Sequence, residues 1–121
     1  MVELAVPADW LGSKPEYYAW WALRKLGIEF SYQYPRFGGR LLLGGAVIDF
    51  FLPNYNLAIN IQSDYWHYRD AEMRASDAMQ RVQVESSGTR VIYIQEADIL
   101  ENPIFYIQEA TKGQEHYPAW A

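Results

Sequence analysis

The sequence predicts a single α/β domain built on a mixed β-sheet flanked by helices. Three observations carry that expectation: a capped segment of helical length opens the chain, alternating apolar runs follow it, and a polar helix-length segment separates those runs from a β-branched one. A helix in that position is long enough to be a crossover, so the strands on either side of it are expected to run parallel. With 121 residues the chain is sized for one core, and the domain is expected to span 1–121.

Each element has its own local signal. Ser13-Lys14-Pro15-Glu16 has the spacing of a capping box with proline in the first turn, and Gly27 follows Leu23 and Leu26 as a stop, which predicts a helix over 13–27. In "IEFSYQYP", Phe30, Tyr32 and Tyr34 share a face. "RLLLGGAVIDFFLP" places Gly44-Gly45 between two apolar runs, and "NLAINIQ" alternates Leu57, Ile59 and Ile61. Together these predict three or four strands in an antiparallel meander. Residues 70–87 carry Met73, Ala78, Met79, Val82 and Val84 unevenly before Gly88, which predicts a largely exposed second helix with Asp77 and Arg81 as a surface ion pair. "TRVIYIQ" reads as a buried strand, and "ADILENPIFYIQEATKG" as a turn and a short helix broken by Pro103. His116 is expected to be solvated in a polar tail.

Composition narrows the function. No apolar run approaches the ~20 residues of a membrane span, and the opening "MVELAVPADW" lacks the basic region and apolar core of a secretory signal, so a cytoplasmic location is expected. Without cysteine there is no disulfide framework or thiol nucleophile, and with only His67 and His116 besides, no structural zinc is expected. A formal net charge of −5 opposes binding to a polyanion at face value. Its distribution weakens that objection: Asp98, Glu101, Glu109 and Glu115 weight the C-terminal end, whereas most of the arginines lie between Arg24 and Arg90. A local basic surface is compatible with the acidic total, and Arg69 and Arg74 are candidates for it if DNA is the partner.

The stretch "DFFLPNYNLAINIQSDYWHY" carries a more specific signal. Asp49-Phe50-Phe51-Leu52-Pro53, then Tyr55, Ile59 and Tyr65-Trp66-His67, resembles the core motif of the very-short-patch mismatch-repair endonucleases and their small relatives, within the PD-(D/E)XK nuclease superfamily. The resemblance implies a restriction-endonuclease-like fold and a DNA endonuclease that uses Mg²⁺, with Mn²⁺ as an alternative, to hydrolyse phosphodiester bonds. Asp49 matches the metal-binding acid, and the Ile61 carbonyl matches a second ligand; a hard divalent cation prefers such oxygens and lowers the pKa of bound water. His67 matches the histidine that activates the attacking water, a role suited to a group titrating near neutrality. Tyr65 and Trp66 match the aromatic pair wedged between bases. Glu16 matches a glutamate near the start of the family's first helix, although its capping-box spacing from Ser13 accounts for it equally.

One departure bears on activity. Where the wider superfamily carries Glu-x-Lys, this chain reads Asn60-Ile61-Gln62. Gln62 can contact water or phosphate but cannot take a proton at neutral pH. The alternative expectation is therefore a catalytically inactive nuclease fold that binds nucleic acid or another protein.

Overall fold

In a computed structural model the described residues are 3–33, 41–43, 46–62 and 71–116. Helix α1 spans Lys14–Lys25. Its start is the capping box that the sequence encodes: Glu16 N–H donates to Ser13 Oγ at 3.2 Å, and Ser13 N–H donates to Glu16 Oε1 at 2.8 Å. The helix closes where Gly27 takes a left-handed φ of +67°, a conformation that a residue with a Cβ adopts only with strain.

The strands are β1 (Ser31–Tyr32), β2 (Leu41–Leu43), β3 (Ala46–Ile48), β4 (Phe50–Leu52), β5 (Leu57–Gln62) and β6 (Arg90–Gln95). Helix α2 (Ala71–Ser86) joins β5 to β6, and α3 (Glu96–Glu101) and α4 (Pro103–Thr111) follow. The main sheet has the order β1-β4-β5-β6, with β5 and β6 parallel and the other neighbours antiparallel. The crossover through α2 thus gives the parallel pair and the mixed sheet expected from the order of elements.

The expected single meander divides in two. Strands β2 and β3 form their own antiparallel pair, and only β1, β4 and β5 continue into the main sheet. The division falls at Asp49, where a bend separates β3 from β4. Among the described residues of the run "IEFSYQYP", Ser31 and Tyr32 form the strand and pair with Phe51 and Phe50. The chain also breaks into two helices at Asn102, whose side chain caps α4 by accepting Phe105 N–H at 3.2 Å, with Pro103 in the first turn.

Strand alternation sorts β5 and β6 into two faces. Leu57 and Ile59 on β5, with Ile92 and Ile94 on β6, pack with Phe50 and Leu52 against Tyr18, Leu23, Ile99 and Ile107 from α1, α3 and α4. The opposite face meets α2 through Ala58, Val84, Val91 and Tyr93, next to Ile48. Each fully buried Ile or Leu there contributes roughly 1.5–3 kcal/mol. On this second face the apolar pattern fails toward the C-terminal ends of both strands, where Asn60, Gln62 and Gln95 are buried. No helix among the described residues is long and apolar enough to cross a membrane.

Candidate functional site

Asp49 occupies the corner between the two sheets, and the ladder explains how it is held. With Phe50 opposite Ile59, the next position along would pair Asp49 with Asn60, but the bend takes the main chain away. Asn60 fills the gap with its side chain, accepting Asp49 N–H on Oδ1 at 2.7 Å. Gln33 N–H donates to the Asp49 carbonyl at 3.1 Å. The carboxylate lies along the edge of β5, accepting Ile61 N–H on Oδ2 at 2.9 Å and Gln33 Nε2 on Oδ1 at 2.8 Å. Both of these donors are neutral amides.

The electrostatics follow from that setting. Burial pushes the Asp49 carboxyl up to about 6, the bond from Ile61 N–H opposes the rise, the Glu16 charge adds to it, and Gln33 lowers it. Glu16 closes the capping box of α1, and its charge also acts on Asp49.

A cleft of about 300 Å³ opens beside Asp49, lined by Val47, Asp49, Asn60, Ile61, Gln62, Asp77, Gln80 and Tyr93. Its floor is a chain of amides. Asn60 Nδ2 donates to Gln80 Oε1 at 3.0 Å, and Gln80 Nε2 donates to the Val47 carbonyl at 2.9 Å. The Tyr93 hydroxyl also donates to Gln80 Oε1. Gln62 is clamped at both ends of its amide, Nε2 donating to Asp77 Oδ2 at 2.7 Å and Oε1 accepting Gln95 Nε2 at 2.9 Å. Each buried amide is thus satisfied, which a half-filled polar network would not achieve.

Of the residues singled out in the sequence, Asp49, Ile61 and Gln62 come together on the cleft. Arg74 lies exposed on α2. Tyr65, Trp66, His67 and Arg69 lie outside the described residues. Two expectations are corrected. Arg81 does not serve as a simple surface partner of Asp77: it forms a two-pronged ion pair with Glu115 at 2.7 and 2.9 Å, while Asp77 faces the cleft and receives Gln62. His116 is not merely solvated, since its Nε2 lies 2.9 Å from Glu109 Oε1 and its ring packs on Tyr106.

The sequence reading missed Asp77, Gln80, Tyr93 and Gln95. A signal for them existed in the parallel register, which places Asn60 beside Tyr93 and Gln62 beside Gln95, so that polar residues of two buried strands fall on one face. Asp77 and Gln80 then present matching groups from one side of α2.

The donor set suits one class of metal. Among the described residues no three acidic or histidine side chains form an all-protein cage. A buried carboxylate with neutral donors, a further carboxylate across the cleft and open volume between them match what Mg²⁺ takes, because it keeps several waters and uses one or two carboxylates alongside substrate oxygens.

No protein-family model matches the chain, and comparison with curated proteins gives no match. Among solved structures the chain is similar to the catalytic domain of the homing endonuclease I-Bth0305I, with a TM-score of 0.59 and 20% identity, over 81% of this chain and 93% of that one. The likeness shows the fold: an α/β nuclease fold with a mixed four-stranded sheet and flanking helices.

Proposed function

We propose that the protein is a divalent-metal-dependent DNA endonuclease whose site is centred on Asp49. The observation that carries this reading is a carboxylate held at a sheet corner by neutral amides, beside a second acid's charge and against an open cleft. Among the described residues the donors to the Asp49 carboxylate are neutral amides, where a structural aspartate at such burial would be expected to have a cationic partner. The fold shared with the endonuclease catalytic domain supports the same reading.

Asp49 and the Ile61 carbonyl would hold Mg²⁺ or Mn²⁺. In a pleated strand that carbonyl leaves on the same edge as its own N–H, the edge that faces Asp49. When bound, the cation supplies charge stabilisation to the phosphoryl oxygens and lowers the pKa of a water. Asn60 fixes the backbone of Asp49, and Gln33 with Ile61 N–H fixes the carboxylate's rotation, so the acid is oriented before substrate arrives. His67 is proposed to accept the proton of the attacking water, with Glu16 orienting that water. Tyr65, Trp66, Arg69 and Arg74 are proposed to contact DNA, the aromatics by stacking and the arginines at phosphates.

The test is incubation of the purified protein with plain, mismatched and branched DNA duplexes in Mg²⁺, Mn²⁺ or EDTA. Cleavage of at least one substrate that requires a divalent ion is expected. DNA binding without cleavage in either metal would support the second reading, a non-catalytic DNA-binding nuclease fold. Asn60 favours that rival, because its amide, standing where a carboxylate is expected, is consumed in holding Asp49 and Gln80.

A further inference from the structure

Asn60 holds Asp49 only while its amide faces one way, and a carboxamide has nearly the same shape when turned over. Turned over, Nδ2 would meet Asp49 N–H, donor against donor, and the backbone at the sheet corner would lose its anchor. What fixes the orientation is on α2. Gln80 Oε1 accepts Asn60 Nδ2 at 3.0 Å and also the Tyr93 hydroxyl, so it presents an acceptor to the end of Asn60 that must donate. Gln80 is oriented in turn by the Val47 carbonyl, to which its Nε2 donates at 2.9 Å. The chain of bonds thus runs from the N–H of Asp49, which can only donate, to the C=O of Val47, which can only accept. Main-chain groups of fixed polarity at both ends dictate the direction of the two amides between them. Asn60 is 8% exposed, so water is a poor substitute for either of its partners.

We propose that Gln80 is a positioning residue of the site: by holding Asn60 in one orientation it fixes the backbone at Asp49, and with it the direction in which the carboxylate enters the cleft. The catalytic consequence rests on the endonuclease reading above, whereas the geometric one stands without it. Gln80 acts through Asn60. Glutamate in its place would keep the acceptor toward Asn60 and Tyr93 but lose the donor to Val47, and methionine, similar in length, would lose both. The two substitutions therefore separate the orientation of Asn60 from a simple tether between α2 and β3.

The test is NMR on the full chain, followed by nicking of supercoiled plasmid. In wild type, scalar couplings across the hydrogen bonds from the Asp49 amide to Asn60 Cγ and from Gln80 Nε2 to the Val47 carbonyl carbon are expected, and the absence of either overturns the proposal before any variant is made. Gln80→Met should speed exchange of the Asp49 amide by about tenfold relative to the Ile59 amide in the middle of β5, the loss expected for one hydrogen bond. Gln80→Glu should keep Asp49 protected, because Asn60 retains its acceptor. No change at Asp49 in Gln80→Met, equal loss at Asp49 and Ile59, or equal loss at Asp49 in the two variants would each overturn the positioning role. In nicking with Mg²⁺, Gln80→Met should lower kcat roughly 10–100-fold with KM for DNA little changed. An unchanged kcat alongside lost Asp49 protection would overturn the catalytic consequence. Should the wild type nick no DNA, the endonuclease reading falls, and amide exchange still decides the role of Gln80. Should Gln80→Met fail to fold, the wild-type couplings and the protection of Asp49 in Gln80→Glu decide it.

Discussion

Asp49 destabilises the fold that holds it, and the sign of that effect can be worked out. Its carboxyl keeps its proton to about pH 6 in the folded chain, against 3.8 for an unperturbed aspartate. The folded state therefore binds the proton more tightly, and the resulting stability is fully present below pH 3.8 and is lost as pH rises through about 6. The loss at neutral pH is about 3 kcal/mol. Asp49→Asn should accordingly be more stable than wild type at pH 7.5, with the gap closing as pH falls toward 4; urea melts at several pH values measure it. Saturating Mg²⁺ should stabilise wild type near neutrality and leave Asp49→Asn unmoved. Glu16→Gln separates two roles of one residue. Glutamine still closes the capping box, so stability should change by less than about 0.5 kcal/mol. Removal of its charge should lower the proton affinity of Asp49, visible as a shift of the carboxyl titration by NMR.

The elements that frame the cleft are tied together by a few buried polar groups. Arg81 of α2 donates to the Val91 carbonyl at 3.0 Å and pairs with Glu115, which also accepts Tyr93 N–H at 2.8 Å. These contacts occupy backbone groups of β6 on the edge away from β5, so side chains stand in for a further strand. Glu115→Ala should leave the Tyr93 N–H and the Arg81 guanidinium without that acceptor and cost about 1–3 kcal/mol, read by thermal or urea unfolding. A double-mutant cycle with Arg81→Ala should show coupling that persists in salt better than an exposed pair would, because the Glu115 side chain is only 10% exposed. The elements themselves were largely legible. Ser13-Lys14-Pro15-Glu16 and Gly27 marked α1, and the β-branched run marked β6, because caps and periodicity are local signals. The split of the meander was not legible, because it depends on a bend at Asp49 that is stabilised by Asn60 and Gln33, residues distant in sequence. The same reason hid Asp77. Its spacing from Arg81 fits a helical ion pair, and only the packing of α2 on the sheet shows that the two residues serve different partners.

At the scale of the whole molecule, an acidic chain has to meet a polyanion through a local surface. The formal net charge is −5, and Arg81 is paired with Glu115, so cations that contact phosphate are expected elsewhere, and Arg74, exposed on α2, is proposed to be one of them. If DNA is the partner, the logarithm of affinity should fall linearly with the logarithm of salt, by about 0.9 per phosphate contacted. Arg74→Ala should weaken binding evenly across sequences and reduce that slope by about one. Nicking of supercoiled plasmid by wild type and by Asp49→Asn, each in Mg²⁺, Mn²⁺ and EDTA at pH 7.5, tests the assignment of the site most directly. The expected result is metal-dependent nicking by wild type and none by Asp49→Asn, with DNA binding retained by the variant. Equal nicking by the two proteins, or nicking that survives EDTA, would contradict a metal-dependent site centred on Asp49.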